Sequence, residues 1–486
     1  MKNITLENTA RVCGGTLYGT EGMTKEQADR EASCVVIDSR KIEKNGIFIA
    51  TRGEKTDGHS FIPNVAQMGA LGVICEQKPE GCQIPYILVE DSFQALKDLA
   101  EFYRMQLDLP VVGITGSVGK TSTKEFIAAV LSRKYSVLKT QGNFNNEVGL
   151  PLTVLSIRKE HQAAVLEMGI SDFGEMHRLS KIARPDICVI TNIGQCHLEN
   201  LGSRDGILKA KSEIFDFMNP DGYVLVNGDD DLLSGIEKKG NHEPIHFGLD
   251  PANEIFASDV EGKGLLGTTA VVHAVNNMGI FKAAGIPDGA EREFPITILL
   301  PGEHMVRNAL AAASVGFLMG LTVQEVQEGI LAVEAVSGRS HLVRMAGCVV
   351  IDDCYNANPV SVRAAIDLLA TAPERKVAIL GDMFELGERE KQLHGEIGTY
   401  AVDAGIDVLL CVGKLSACMY EQGKQRKEEK KKDTEIFYFP ARDEMIGKLP
   451  EILKRGDNIL VKASHGMQFE KVVEAIAKSS MLGYTD

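Results

Sequence analysis

Val111-Val112-Gly113-Ile114-Thr115-Gly116-Ser117-Val118-Gly119-Lys120-Thr121 is an apolar run that breaks into glycines and ends on Lys-Thr. A buried strand, a glycine loop and a helix opening at Thr121 form the setting that a phosphate-binding loop requires. Glycines let backbone N–H groups approach phosphate oxygens, the helix amino terminus adds positive potential, and Lys120 reaches the outer phosphates. Gly116, Ser117, Val118, Gly119, Lys120, Thr121 and Ser122 are therefore the candidate phosphate contacts, with the Thr121 hydroxyl placed for a magnesium ion. The spacing is a shortened G-x-x-G-K-T, because the residue five before Gly119 is Ile114.

Outward from this loop, apolar strands alternate with helical segments: Ala163 to Glu167, Asp186 to Thr191 and Gly222 to Val226. Repeated strand-helix units imply a parallel, doubly wound sheet with ligands at the carboxyl ends of its strands. Residues 250 to 300, richer in Gly, Thr and Val, read as an antiparallel extension of that sheet. Before it, Cys34–Ile37, Gly46–Ile49, Gly72–Cys75 and Tyr86–Val89 read as strands of a small α/β unit, closed by a helix over Ser92–Arg104 that Ser92 is expected to cap. After it, strands at Val349–Ile351, Val377–Leu380, Val408–Val412 and Ile459–Val461 make a second Rossmann-like sheet. The fold class is thus α/β in three domains, with expected bounds of 1–108, 109–335 and 336–486.

Composition narrows the function. Lys and Arg total 52 against 67 Asp and Glu, a net charge of -15 that opposes binding to nucleic acid or an anionic membrane surface. The longest apolar stretch, Ala309 to Leu321, is interrupted by Ser314 and Gly316 and reads as a buried helix, not a membrane span. The ten cysteines are scattered without a C-x-x-C pair, as in reduced cytosolic proteins. The amino terminus lacks a secretory pattern, so a cytoplasmic location is expected. The Lys-rich run Lys424 to Asp433 is a solvated surface segment.

Two further residues stand at strand ends that face a phosphate loop in such a sheet. Glu167 closes Leu166-Glu167-Met168-Gly169, where a carboxylate can serve a metal ion, and His197 follows the strand that ends at Thr191-Asn192. Taken singly, each has a plain reading, a capped or surface Glu and a structural His.

The ordered set of motifs says more. Gly116 to Thr121, Asn143-Phe144-Asn145-Asn146-Glu147 with Gly149-Leu150-Pro151, Glu167, Thr191-Asn192-Ile193 with His197, Ala210-Lys211 and Asp353-Cys354-Tyr355-Asn356-Ala357-Asn358-Pro359 stand in the order seen in Mur ligases. Asp38-Ser39-Arg40 and Asp57-Gly58-His59 add an amino-terminal pattern. The chain resembles that family over nearly its whole length, and Gly142 to Asn146 with Tyr355 to Pro359 resemble the branch that adds D-alanyl-D-alanine.

The resemblance implies an ATP-dependent, magnesium-requiring ligase of peptidoglycan precursor synthesis. Its partners would be UDP-N-acetylmuramoyl-tripeptide and D-alanyl-D-alanine, and a monomer is expected. By the same resemblance, Lys120, Glu167, His197 and Lys211 are catalytic; Thr121, Glu167, His197 and a carbamylated Lys211 hold metal; and Asn308, Arg339 and Asp353 join the phosphate loop in binding ATP. Ser39, Arg40, Asn143, Asn145 and Asn146 would contact the UDP substrate, and Tyr355, Asn356 and Asn358 the dipeptide. Without the resemblance, Lys211 would read as an exposed helix residue. The third domain would close over the others, with Gly338 as the flexible point.

The family pattern has Asn where this chain has Met305, in His304-Met305-Val306-Arg307-Asn308, so an amide contact to adenine is missing there. A sister ligase adding one amino acid, a folyl-polyglutamate synthase and a non-catalytic nucleotide-binding regulator are the rival readings. Tyr355 to Pro359 and the long amino-terminal domain argue against the first two. Retention of Lys120, Glu167, His197 and Lys211 together argues against the third.

Overall fold

The computed structural model describes residues 1–483 apart from 55, 237, 239–241, 277, 278 and 346; the final residues of the third segment, 484–486, lie outside the described residues. Three sheets are strung along the chain, of five, nine and six strands. In the first, Val35–Val36, Ile47–Ile49, Gly72–Cys75 and Tyr86–Leu88 run parallel, and Thr16–Tyr18 pairs antiparallel at the edge. The helix Ser92–Arg104 has the expected bounds, but its cap is Asp91, whose Oδ1 accepts from the backbone N–H groups of Phe93 and Gln94 at 2.8 and 3.0 Å. Ser92 cannot do this because its hydroxyl donates to the Ala50 carbonyl inside the unit.

The central sheet is built on Val111–Thr115, buried at every position and flanked by Ala163–Glu167 and Ile187–Ile190 in parallel. Such a strand reads as a continuous apolar run because helices cover both faces. Parallel pairing continues through Tyr223–Asn227, Ile245–Gly248 and Ile255–Gly262, after which Thr268–Val275 and Glu291–Ile298 add the antiparallel extension. Thr268–Val275 alternates buried and half-buried residues, the period of a sheet with one wet face. Of the stretch read as a buried helix, Ala309 to Leu318 lies in the helix His304–Leu318, packed against the helix that follows the phosphate loop, while Met319 to Leu321 lie beyond its end. Among the described residues, no helix is long and apolar enough to cross a membrane.

In the third sheet Cys348–Asp352, Asn458–Lys462, Lys376–Gly381, Val408–Val412 and Glu435–Phe439 are parallel neighbours. His341–Met345 pairs antiparallel with the first of these. The two edge strands, His341–Met345 and Glu435–Phe439, are absent from the sequence reading because half-exposed edges carry polar and charged residues among the apolar ones. The Lys-rich run lies on the exposed end of the helix Ser416–Lys430 and the turn after it. All ten cysteines are free.

Candidate active site

The phosphate loop is held open by its own backbone chemistry. Gly116 has φ +149, and a Cβ there would stand 1.9 Å from the Thr191 hydroxyl; Gly119, at φ +82, turns the chain into the helix Lys120–Leu131. A side chain at Gly116 would collide with Thr191, and one at Gly119 would be strained by the left-handed backbone. The loop is then pinned to the neighbouring strand end. Ser117 N–H donates to the Asn192 carbonyl at 3.0 Å, Val118 N–H to Asn192 Oδ1 at 2.8 Å, and the Thr191 hydroxyl to the Val118 carbonyl at 2.6 Å. The helix starts at Lys120, one residue earlier than its sequence suggests, and Lys120 Nζ folds back to the Gly116 carbonyl at 2.7 Å. Desolvation in the cleft lowers its pKa.

Glu167 is buried at the end of its strand, and its carboxylate is held from both sides. Thr121 Oγ1 donates to Oε2 and Asn145 Nδ2 to Oε1, each at 2.8 Å. A hydroxyl and a carboxylate so close together beside the cleft are hard oxygen donors of the kind magnesium takes. Behind them lies Lys124, a fully buried lysine that the sequence reading passed over. Its Nζ donates to the Thr140 carbonyl at 2.8 Å and sits 3.0 Å from Glu125 and 3.9 Å from Glu167. The signal was there, a second lysine one helical turn after Lys120, where the inward face leaves no route to solvent.

A cavity of about 540 Å³ brings most of the predicted residues together. From the central unit it is lined by Ser117 to Thr123, Asn145, Asn146, Glu167, His197, Met305 and Asn308. The opposite wall is Arg339, Asp353, Tyr355, Asn356 and Asn358 with Lys462. Met305 is buried, and its sulfur accepts from Asn308 Nδ2 at 3.4 Å while Asn308 Oδ1 accepts from Thr123, so this amide is engaged inside the protein. On the opposite wall, Lys462 Nζ pairs with Asp353 at 2.6 Å, and the Arg339 guanidinium lies 4.1 Å over the Tyr355 ring. Asn358 caps the helix Pro359–Ala370, its Oδ1 accepting from Ser361 N–H.

Other predicted residues lie elsewhere. Asn143 is exposed and does not line the cavity. Ser39 and Arg40 form a short turn in the first unit, where Asp38 grips the Arg40 guanidinium through two bonds of 2.9 and 2.8 Å. Lys211 is not the exposed helix residue that its position alone suggests: it is 1% exposed. Its carbonyl accepts from the Glu213 N–H, but its Nζ makes no hydrogen bond or ion pair among the described residues. Burial is the main cause that lowers its pKa to about 8, with nearby Lys120 adding to the fall. Gly338 is not a free hinge either. Its N–H donates to Asp352 at 2.9 Å, its carbonyl accepts from Tyr355, and its φ of +76 fits a fixed turn. Residues Val333 to Val336, just before Gly338, lie in no helix or strand.

A glycine-loop ATPase site facing a second Rossmann-like sheet defines an ATP-dependent ligase of the Mur type, and the chain belongs to the Mur ligase family. Residues 114–316 match the Mur ligase middle domain, 338–465 the Mur ligase glutamate ligase domain, and 31–104 the Mur ligase family catalytic domain. The UDP-N-acetylmuramoyl-tripeptide--D-alanyl-D-alanine ligase of Bacillus subtilis is 36% identical, over 98% of this chain and 99% of that protein. The ligase of the same description from Escherichia coli is 32% identical, over 99% of each. Among solved structures, MurF from Acinetobacter baumannii superposes with a TM-score of 0.84 at 29% identity, over 98% of both chains. MurF ligase from Thermotoga maritima in complex with ADP gives 0.78 at 29% identity, over 94% of this chain and 99% of that one.

Proposed function

We propose that the chain joins D-alanyl-D-alanine to UDP-N-acetylmuramoyl-tripeptide with ATP, giving the UDP-linked pentapeptide, ADP and phosphate. The observation that carries this is the single cavity in which Lys120, Thr121 and Glu167 face Arg339, Tyr355 and Asn356, in a chain related to such ligases end to end. A free carboxylate is a poor acyl donor because its leaving group would be oxide. Transfer of the γ-phosphoryl group makes an acyl phosphate; the dipeptide amine then attacks the carbonyl carbon, the C–N bond forms and phosphate leaves.

Each assigned residue answers a need of that sequence. Backbone N–H groups of Ser117 to Thr121 and the Lys120 ammonium offset phosphate charge that otherwise repels the substrate carboxylate. Thr121 and Glu167 would hold magnesium, with His197 at the rim; bound there, the ion neutralises charge on the transferring phosphoryl group. Asn308, Arg339 and Asp353 are assigned to ATP, and Tyr355, Asn356 and Asn358 to the dipeptide. Asn145 and Asn146, at the cavity, belong to the muramoyl-peptide side, and Ser39, Arg40 and Asn143 to its UDP end. Segments 1–108, 109–335 and 336–486 thus carry UDP substrate, ATP and acceptor, in a monomer acting in the cytoplasm.

Carbamylation of Lys211 is part of this reading. Attack on carbon dioxide needs a neutral amine, and a lysine with its pKa near 8 supplies far more of it at neutral pH than an exposed one. The carbamate would place a negative group near Lys120 and a metal. A ¹³C carbamate resonance in enzyme equilibrated with labelled bicarbonate, absent in Lys211→Ala, tests it. For the whole reaction, phosphate release is measured with ATP and UDP-muramoyl-tripeptide, adding either the dipeptide or single D- and L-amino acids. Release that does not depend on the dipeptide, or that single amino acids support equally, sinks the assignment.

A further inference from the structure

An incoming dipeptide carries an ammonium at the end that must meet the acyl phosphate, yet Tyr355, Asn356 and Asn358 offer no anion. The other carboxylates of the site are engaged: Glu167 by Thr121 and Asn145, Asp353 by Lys462 and the Ser340 N–H, Asp352 by the Gly338 N–H and Cys354. Glu385 differs. It stands in the loop after the strand Lys376–Gly381, at the carboxyl edge of the third sheet, and reaches across to the central unit. Its Oε2 lies 2.5 Å from Nδ1 of His197, while that nitrogen has no aligned hydrogen-bond partner, and its side chain is 56% exposed.

The loop that presents it is built rather than slack. Glu385 has φ +63, a left-handed region that is unfavourable for a residue with a Cβ and persists where the surroundings impose it. Here both preceding backbone groups are fixed. Met383 N–H donates to Nε2 of the fully buried His394 at 2.8 Å, whose Nδ1–H donates to the Glu390 carbonyl, and Phe384 N–H donates to the Ser464 hydroxyl at 2.9 Å. Exposed apolar side chains stand on the same edge: Phe384 beside Glu385, and Val360 near Gly194 in the loop that carries His197. One carboxylate among apolar surfaces matches a short peptide with one ammonium and two methyl side chains.

We propose that Glu385 binds the ammonium group of the incoming dipeptide and fixes that nitrogen at the mouth of the cavity, beside His197. This rests on the ligase reading above. The carboxylate forms a charge-assisted bond that orients the nitrogen, which attacks as the amine once one proton has passed to solvent, and the ammonium takes the position next to Oε2 that the imidazole holds now. Phe384 and Val360 cover the alanyl methyl groups.

The test compares wild type with Glu385→Gln and Glu385→Asp, checked by thermal melting. In Glu385→Gln the dipeptide KM is expected to rise roughly 10- to 100-fold, with KM for ATP and UDP-substrate within about twofold, and Glu385→Asp to fall between. Propionyl-D-alanine, the dipeptide without its amine, is expected to inhibit wild type and Glu385→Gln equally. If Glu385 only bridges to His197, kcat falls while all three KM values hold, and the assignment is overturned. A wild-type chain that shows no dipeptide-dependent phosphate release overturns the ligase reading and this assignment together, whereas wild-type turnover with an unshifted dipeptide KM in Glu385→Gln overturns this assignment alone.

Discussion

The central unit meets its two neighbours in opposite ways. Against the first unit it forms a dry seam: Leu96, Leu99 and Tyr103 share one apolar cluster with Leu150, Leu155 and Leu179. Tyr103 donates to the Ile157 carbonyl at 2.7 Å, and the buried Arg104 donates to the carbonyls of Ala183, Leu107 and Arg184. Against the third unit it leaves the cavity, crossed at its edge by the Glu385–His197 contact and linked through the extended stretch Val333 to Val336. A seam that buries apolar surface holds one geometry, while a seam lined with charges has room for substrates and for movement. The proposed chemistry falls at the second seam, where the phosphate-loop wall is pinned by its own hydrogen bonds.

That asymmetry is broken most severely on the phosphate-loop wall. Lys120→Ala is expected to lower kcat by roughly 10²- to 10³-fold with the melting temperature little changed, because Lys120 offsets phosphate charge and carries little of the packing. Near-normal turnover in a steady-state phosphate assay would remove the phosphate loop from the mechanism. Lys211→Arg is expected to lose about 100-fold although the charge is kept, since a guanidinium forms no carbamate. Wild-type activity there would make Lys211 a packing residue.

Lys211 also gives a stability prediction with a defined sign. Its amine titrates near 8 when folded against 10.5 as a free side chain, so between those values the unfolded chain binds a proton that the folded chain does not. Unfolding free energy therefore rises with pH across that window. The penalty for the buried amine is fully present below about pH 8 and gone above about 10.5. In bicarbonate-free buffer, Lys211→Met is expected to be more stable than wild type at pH 7 by about 1–3 kcal/mol, a gain that fades toward pH 10.5. Equal denaturation midpoints at both pH values would contradict it. Lost activity with gained stability would mark a group kept for chemistry.

The two seams were not equally legible in the sequence. Val111 to Thr121 could be read because a continuous apolar strand, two obligatory glycines and a Lys-Thr pair each have one physical reason to be there. The helix Ser92–Arg104 could be read by its 3.6 period, but nothing local says that Arg104 turns inward to three carbonyls of the next unit and its linker. Lys211 looked like a surface lysine, and Lys124 drew no reading at all, because composition gives no depth. Glu385 went unnoticed because its place depends on two units meeting, and its positive φ is imposed by His394 and Ser464, distant in sequence. Gly338 was misread since glycine permits motion without requiring it.

A milder effect is expected at the dry seam. Arg104→Ala leaves three carbonyls short of a donor and opens a buried void, which should cost about 2–4 kcal/mol of unfolding free energy measured by denaturant. KM values for ATP and dipeptide should stay within about twofold, because Arg104 acts far from the cavity in a rigid joint. Asp186 loses its ion pair with Arg104, 3.3 Å away, but keeps its bonds from the Val111 N–H and Asn219, which limits that part of the cost. A large loss of dipeptide affinity without a loss of stability would mean that the first seam also moves.

The smallest effect is the most direct test of the contrast, since it concerns shape alone. The reacting atoms come from both walls of the second seam, and an acyl phosphate open to bulk water would be hydrolysed before the amine arrived. Closure has to exclude that water, and opening has to release a bulky UDP-linked product. The stretch Val333 to Val336 is the expected joint, because it lies in no helix or strand while Gly338 is bonded to Asp352 and Tyr355 of the third unit. Spin labels placed across the second seam, one on the helix Ser416–Lys430 and one on the helix Lys120–Leu131, should draw together when nucleotide and UDP-substrate are both bound. A pair across the first seam, on Ile62–Gln67 and Glu175–Ala183, should keep its distance. Small-angle scattering should show a smaller radius of gyration in the same complex. An unchanged radius and unchanged second-seam distance, alongside confirmed binding and turnover, would mean that substrates enter a cleft already closed. The phosphate wall and the acceptor wall would then be one rigid site, and the difference between the seams one of polarity without motion.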